Sequence, residues 1–188
     1  VEFTRYKKIP YLDSDGIITT KETAMEKLEE LVEEMEKRYN LFTSLSLNEI
    51  NKYNKISEKK LPRSVLIFDE FADWMLDEEF KKVASSSVQR LSGKARAAGI
   101  HLIISTQRPD NTVVIPILRA NLGAKLALRV DSEKNSQIIL DESGAERLLG
   151  YGHMIAKFAG EKKFVQTAYI SDDYIDNLLK QLNEYTYL

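Results

Sequence analysis

The sequence predicts an α/β protein with a mostly parallel sheet. Two apolar runs, residues 64–68 and 100–105, have the length and composition of strands buried on both faces. Residues 77–98 between them place apolar side chains at helical spacing, and Gly99 fits the position after the helix. A strand, a crossover helix and a second strand form a βαβ unit, which implies parallel pairing of the two strands.

The region before the first strand, residues 1–63, is predicted to consist of helices and loops. Thr20 is a good helix N-cap, and residues 21–45 carry apolar side chains on one face and glutamates on the other. A short helix is predicted around residues 47–53, in a polar segment that Pro62 closes.

The segment after the second strand is predicted to end in a β-hairpin and a helix. In chain order we expect a short helix at 114–121, a third strand at 124–130, a helix at 132–149 broken near Gly144, hairpin strands at 153–158 and 164–170, and a final helix to Tyr187. Ser171 or Asp172 can cap that final helix.

Composition excludes several kinds of site. The chain has 188 residues, enough for one domain, and no cysteine, which excludes disulfides and thiolate metal sites. Its net charge of −2 gives no overall attraction to nucleic acid, so any such binding needs a local patch. No apolar run approaches the roughly 18 residues of a membrane span. The start at Val1 has neither an initiator methionine nor a signal peptide, so we expect a trimmed part of a longer chain.

Two carboxylates, Asp69 and Glu70, directly follow the first strand. Four apolar residues followed by Asp-Glu form the Walker B pattern of phosphate-hydrolysing motors. The first carboxylate can hold Mg²⁺ or its waters, and the second can polarise the attacking water. The same pattern also fits a strand that ends at the surface with two solvated acids.

Gln107 follows the second strand in the same way. A glutamine there can hydrogen-bond a γ-phosphate or the lytic water, and Arg108 adds a cation, although an ordinary polar junction also fits. Because the carboxyl ends of parallel strands meet at one edge of a sheet, we expect Asp69, Glu70 and Gln107 to converge.

The end of the crossover helix is basic. Lys94 and Arg96 suit the negative end of the helix dipole, and Arg96 also fits an arginine finger that reaches a neighbouring subunit's nucleotide. Both interpretations stay open from the residues alone.

A P-loop is missing from this sequence. The pattern G-x-x-x-x-G-K-[ST] fails at the single Gly-Lys pair, Gly93-Lys94, because Ala95 follows it and Val88 stands at the first glycine position. Either a P-loop precedes Val1 or the chain is not a nucleotide enzyme.

Several ordered motifs resemble the motor domain of the FtsK/SpoIIIE family of DNA translocases. They are Asp69-Glu70-Phe71-Ala72-Asp73, residues 94–102, 105–109, 119–122 and 144–152, with residues 34–39, Tyr53-Asn54, residues 1–3 and Ile9-Pro10 upstream. The resemblance extends to about residue 170.

This resemblance implies a RecA-like P-loop NTPase core, of which residues 1–188 are a part lacking the first strand and the Walker A loop. It implies a cytoplasmic ATP-driven translocase for double-stranded DNA, acting in DNA segregation or conjugative transfer. ATP and Mg²⁺ are the expected cofactors, and self-association into a hexameric ring is expected. A membrane-anchoring segment of the parent protein would lie outside this chain.

The resemblance also implies residue roles. Asp69 and Glu70 form the Walker B pair, with Asp69 holding Mg²⁺ through water, and Gln107 is the phosphate sensor. Arg96 is the trans-acting finger. Contacts to the DNA backbone come from Arg108, Arg119 and the 131–137 segment, which contains Lys134.

One departure from the family pattern concerns DNA contact. Glu133 and Gln137 stand where the family usually has a lysine and an arginine, which weakens the expected hold on phosphate. A conjugation coupling protein or a defence-system translocase therefore fits better than a chromosome translocase. Two alternatives remain: an FtsK-like secretion ATPase that moves protein, and a non-catalytic assembly module that lost the P-loop.

Overall fold

A computed structural model describes residues 2–107, 109 and 120–184. Its helices are α1 (Lys21–Ser44), α2 (Ile50–Ile56), α3 (Phe71–Trp74), α4 (Glu78–Lys94), α5 (Glu133–Leu140) and α6 (Asp172–Glu184). Its strands are β1 (Ser64–Phe68), β2 (Ile100–Ile104), β3 (Ala124–Ala127), β4 (His153–Phe158) and β5 (Glu161–Gln166), and short 3₁₀ helices lie at Glu2–Tyr6 and Ala145–Arg147. Of the helix predicted at 114–121, only Ala120 and Asn121 are described.

Strands β1 and β2 pair in parallel, as the βαβ pattern predicts. Ser64 lies opposite Ile100 and Phe68 opposite Ile104, so both strands end at the same edge. The crossover between them consists of α3 and α4, and Asp77 caps α4 by accepting a 3.0 Å hydrogen bond from the Phe80 N–H.

One face of this sheet packs against a core that α1 and α4 dominate. Helix α1 begins after its predicted cap, Thr20, whose side chain accepts from the Thr23 N–H. The helix then turns its apolar stripe toward α4. The fully buried members of this core include Leu28, Phe71, Phe80, Leu91 and Ile100. Residues of the 1–63 region therefore share one core with β1 and β2.

The prediction that β1 and β2 are buried on both faces is wrong for the described residues. Val65 and Ile67 are 56% and 57% exposed, and Ile103 on β2 is 52% exposed. Within the described residues, helices cover only the opposite face of the sheet. Strand β1 therefore alternates between buried and exposed side chains even though every position from Val65 to Phe68 is apolar.

A second sheet has the antiparallel order β3-β4-β5. The predicted hairpin is present, but its second strand begins at Glu161, three residues earlier than expected. The turn needs only Ala159 and Gly160, whose φ angles of 50° and 87° match a two-residue hairpin turn. The chain therefore returns without the five-residue loop that the sequence suggested.

The C-terminal helices begin close to the predicted positions, but the second piece of the helix predicted at 132–149 is a three-residue 3₁₀ helix. The predicted end of the final helix at Tyr187 lies outside the described residues. Gly144, with φ of 135°, separates α5 from the 3₁₀ helix, as the predicted break requires. Ser171 caps α6 by accepting from the Tyr174 N–H at 3.2 Å. Across the described part of the chain, no helix combines the length and the apolar character that crossing a membrane requires.

Candidate active site

Asp69 lies at the carboxyl end of β1, beside the end of β2. Its Oδ1 accepts a 2.7 Å hydrogen bond from Ser105 Oγ. The backbones of the two strands also join here, because the Ser105 N–H donates to the Phe68 carbonyl at 2.9 Å and the Phe71 N–H donates to the Ser105 carbonyl at 3.0 Å. Asp69 is exposed, so its carboxylate is held in place while it remains open to solvent.

Glu70 lies next to Asp69 in a left-handed backbone conformation, with φ of 45° and ψ of 53°. A non-glycine residue in that region is uncommon and marks a position where the surroundings hold the backbone. Its Oε1 accepts from Thr106 Oγ1 at 3.2 Å and from the Gln107 N–H at 3.2 Å. The carboxylate of Glu70 is thus tied to the chain that follows β2.

The predicted convergence of Asp69, Glu70 and Gln107 is therefore seen. Gln107 takes part through its backbone N–H, and its side chain is exposed. Ser105 and Thr106, two residues of the 105–109 motif to which no role was assigned from the sequence, each donate a hydroxyl hydrogen bond to one of the two carboxylates. The sequence could have indicated both residues, because they directly precede Gln107 at the end of the same strand.

The oxygen donors at this edge fit Mg²⁺ chemically. Mg²⁺ takes hard oxygen ligands, usually one or two carboxylates together with waters and substrate phosphates. Asp69 supplies one exposed carboxylate and Ser105 one hydroxyl. Among residues 2–107, 109 and 120–184, no group of three or more histidines, aspartates and glutamates is arranged to hold a metal ion.

Arg96 lies away from these carboxylates. It belongs to the 94–99 segment, which enters β2, whereas Ser105 and Gln107 follow the end of β2. Five strand residues separate the two positions, or about 16 Å at the usual rise per residue. The structure therefore does not bring Arg96 to the edge where Asp69 and Glu70 lie.

A cleft of about 410 Å³ opens beside Arg96. Its lining includes three basic side chains and one histidine: Arg63, Lys94, Arg96 and His101. Glu49 is the one acidic lining residue. Because Arg63, Lys94 and Arg96 place three cations against one carboxylate, the cleft favours negatively charged groups.

The remaining predicted DNA contacts lie far along the chain from this edge or outside the described residues. Lys134 is exposed in the first turn of α5, whose N-cap Ser132 accepts from the Asn135 N–H. Most of the 131–137 segment is therefore helical. Arg108 and Arg119 fall outside the described residues.

Comparison with known proteins identifies the family. The profile of the FtsK/SpoIIIE family matches residues 1–60 and 56–111, more than half of the chain. The chain belongs to the FtsK/SpoIIIE family. The resemblance inferred from the motifs is thereby confirmed.

Curated FtsK/SpoIIIE relatives match almost the whole chain. The DNA translocase SftA of Bacillus subtilis (strain 168) is 38% identical over 189 residues, covering 97% of this chain and 20% of the relative. The DNA translocase SpoIIIE of the same organism is 40% identical over 195 residues, covering 95% of this chain and 24% of the relative. The chain thus spans about a fifth to a quarter of these relatives.

A solved structure supports the fold. The pCW3 conjugation coupling protein TcpA, in its monomer form with ATPγS, is similar with a TM-score of 0.80 and 28% identity, covering 89% of this chain and 50% of that one. The prediction of a RecA-like α/β fold is confirmed, with a parallel sheet and an antiparallel sheet in the described part.

Proposed function

We propose that this chain is part of the motor domain of an ATP-driven translocase for double-stranded DNA. The observation that carries the proposal is the meeting of Asp69 and Glu70 with the chain after β2 at one sheet edge. This is the place where open α/β sheets bind ligands. The names of the family relatives, which are DNA translocases, support the same function.

Each carboxylate has a role in the proposed hydrolysis. Asp69, oriented by Ser105, holds Mg²⁺ through water. Glu70 orients and polarises the attacking water, and Gln107 senses the γ-phosphate. Bound Mg²⁺ supplies neutralisation of the developing phosphate charge. Since the chain lacks the P-loop pattern, the proposal includes a Walker A loop from the parent protein upstream of Val1.

The proposed motor works as a ring. Arg96 precedes β2, whereas the carboxylates of its own subunit lie at the far end of the sheet, so it serves as a finger for the nucleotide of a neighbouring subunit. A hexamer around the duplex provides such interfaces. The cation-lined cleft beside Arg96 would then face the neighbour's phosphates.

DNA contact in the proposed motor comes from Arg108, Arg119 and Lys134. Contacts of this kind bind phosphate and carry no sequence information, which suits a translocase. The parent protein would act in the cytoplasm, tethered to the membrane by a segment outside this chain, in DNA segregation or conjugative transfer.

Displacement of a triplex-forming strand from duplex DNA by the full-length parent protein tests this function. ATP-dependent displacement that stops with a non-hydrolysable analogue supports translocation. Duplex binding that weakens steeply with salt supports the phosphate contacts. Absence of duplex binding at low salt would instead support a protein-moving secretion ATPase. Duplex binding without ATP turnover would support the non-catalytic assembly module.

A further inference from the structure

Arg38 is a charged residue inside the core of the first sheet. Its side chain is 4% exposed, on α1 between Met35 and Phe42 of the buried stripe. A buried guanidinium is costly unless it is paired and hydrogen-bonded. The Nε of Arg38 donates to Glu34 Oε1 at 2.7 Å, and Nη1 donates to the carbonyls of Pro62 and Ala98, each at 2.8 Å.

These bonds join the two points where the chain enters the sheet. Pro62 precedes β1 and Ala98 precedes β2, 24 and 60 residues from Arg38. One guanidinium therefore holds the starts of both strands against α1. Lysine carries a single ammonium on a flexible stem and cannot reproduce the planar fork of donors.

The 94–99 segment is held along its whole length. A helix leaves its last carbonyls without partners in the helix, and here each carbonyl of residues 94–98 accepts from a donor outside α4. The carbonyl of Lys94 accepts from the Tyr39 hydroxyl and that of Ala97 from the Ile50 N–H, both at 2.9 Å. The carbonyl of Ala95 accepts from the Ile100 N–H at 2.9 Å and that of Arg96 from the Gly99 N–H at 3.1 Å. Arg38 completes the set at Ala98.

Close packing fixes this segment further. Gly99 has φ of +80°, and a Cβ built on it would lie 2.5 Å from Ile50 Cδ1 and 3.5 Å from Arg38 Nη1. The turn that follows α4 therefore ends in a left-handed glycine, as is common after helices, against side chains of α1 and α2.

We propose that Arg38 is a positioning residue for Arg96. Arg96 lies within the held segment, and its own side chain is exposed. By fixing the backbone around it, Arg38 sets the direction in which the Arg96 guanidinium reaches the nucleotide of the neighbouring subunit. This inference rests on the proposed ring motor with Arg96 as its trans-acting finger.

A fused pair of full-length parent chains tests the proposal, because the two copies then alternate around a ring. The reference ring carries Glu70→Gln in one copy only. In the first arrangement, Arg38→Lys shares a copy with Glu70→Gln. In the second arrangement, Arg38→Lys is in the other copy. DNA-stimulated ATP turnover is measured for all three rings.

A positioning role in trans predicts opposite results for the two arrangements. In the first, every intact Glu70 faces an Arg96 from a copy with Arg38→Lys, and turnover falls at least tenfold below the reference. In the second, every intact Glu70 faces an unaltered copy, and turnover equals the reference. The reverse pattern would show that Arg38 acts on its own subunit's site. Loss in both arrangements would show a merely structural role. Either of these outcomes overturns the proposal.

Two controls separate this inference from the proposed function. Arg96→Ala placed in the same two arrangements must lower turnover in the first and leave it at the reference value in the second, which is the trans pattern. If it does not, the assignment of Arg96 as the finger fails. If Arg96→Ala gives that pattern and Arg38→Lys does not, only the positioning role fails. Arg90→Lys makes the same chemical change on the exposed face of α4 and is expected to leave both arrangements at the reference value.

Discussion

The backbone N–H of Gln107 donates to both carboxylate oxygens of Glu70, at 3.2 Å from Oε1 and 3.3 Å from Oε2. The proposed water-polarising residue is thus bound to the chain that carries the proposed phosphate sensor. Any displacement of that chain after β2 changes the orientation of the Glu70 carboxylate. If Gln107 contacts phosphate as proposed, these bonds couple that contact to the position of the Glu70 carboxylate.

Ser105→Ala tests the orientation of Asp69. The change removes the 2.7 Å hydrogen bond to Asp69 Oδ1 and leaves the carboxylate itself. We expect the Mg²⁺ concentration at half-maximal turnover in the full-length parent to rise several-fold, while maximal turnover changes less than threefold. A Mg²⁺ titration of ATP turnover measures both. Ser86→Ala on the exposed side of α4 is the control, and an equal effect of the two variants would contradict the assignment.

Gly99→Ala tests the packing of the 94–99 segment. Alanine at φ of +80° costs about 1–2 kcal/mol in the unfolding free energy, and contact with Ile50 Cδ1 adds about 1–3 kcal/mol. Gly16→Ala has a similar φ of +68° with nothing within 4 Å, so it carries only the first cost. Denaturant unfolding measures the free energy of unfolding of both variants, and Gly99→Ala should lose more of it than Gly16→Ala.

Ile50→Val provides a further check on that packing. Valine lacks the Cδ1 atom that lies 2.5 Å from the added Cβ. The double variant should therefore be about 1 kcal/mol more stable than the sum of the single changes predicts. Strict additivity would show that the contact contributes nothing.

Asp77→Asn tests the pH dependence of the α4 cap. The backbone hydrogen bond from Phe80 and the 3.0 Å bond from Lys21 Nζ hold the pKa of Asp77 below its ordinary value of 3.8. A depressed pKa in the folded state stabilises the chain above the unfolded-state pKa, and this contribution is lost as the pH falls through the folded-state pKa. Below about pH 4, we expect the free energy of unfolding to fall less steeply with decreasing pH in Asp77→Asn than in the unsubstituted chain. Denaturant unfolding across this range measures it, and an unchanged profile would contradict the prediction.

Glu133→Lys tests DNA contact near α5. Both Glu133 and the neighbouring Lys134 are exposed, so the change adds a cation beside an existing one. We expect tighter duplex binding by the full-length parent and a salt dependence steeper by about one in the slope of log K against log salt. Fluorescence anisotropy at several salt concentrations measures this slope. Glu29→Lys on α1 changes the net charge by the same amount and should leave the slope of log K against log salt unchanged. If the two variants have the same slope, α5 does not contact DNA.

The sequence predicts the strand ends well because they follow from pattern alone. Apolar runs followed by polar residues place Asp69 and Gln107 at strand tips, and parallel pairing brings those tips together. Helix boundaries that side-chain caps set, as at Thr20, can be predicted equally well because they depend only on neighbouring residues.

Features that depend on distant partners could not be predicted in this way. Helix α2 begins at Ile50 instead of Leu47, because Ser46, with φ of 56°, and the Leu47 N–H still belong to the end of α1. Arg38 looks like one more charge on an acidic helix, yet it lies on the buried stripe and bonds to carbonyls 24 and 60 residues away. A cation at an apolar position of the helical pattern was the available signal.

Glu70→Gln in the full-length parent is the most direct test of the ATP-driven motor. The amide preserves the shape of the side chain but cannot polarise the attacking water as a carboxylate does. We predict that DNA-stimulated ATP turnover falls at least a hundredfold, while ATP binding and duplex binding persist. The matched change Glu79→Gln, at an exposed position of α4, should leave turnover intact. Undiminished turnover in Glu70→Gln would contradict the account.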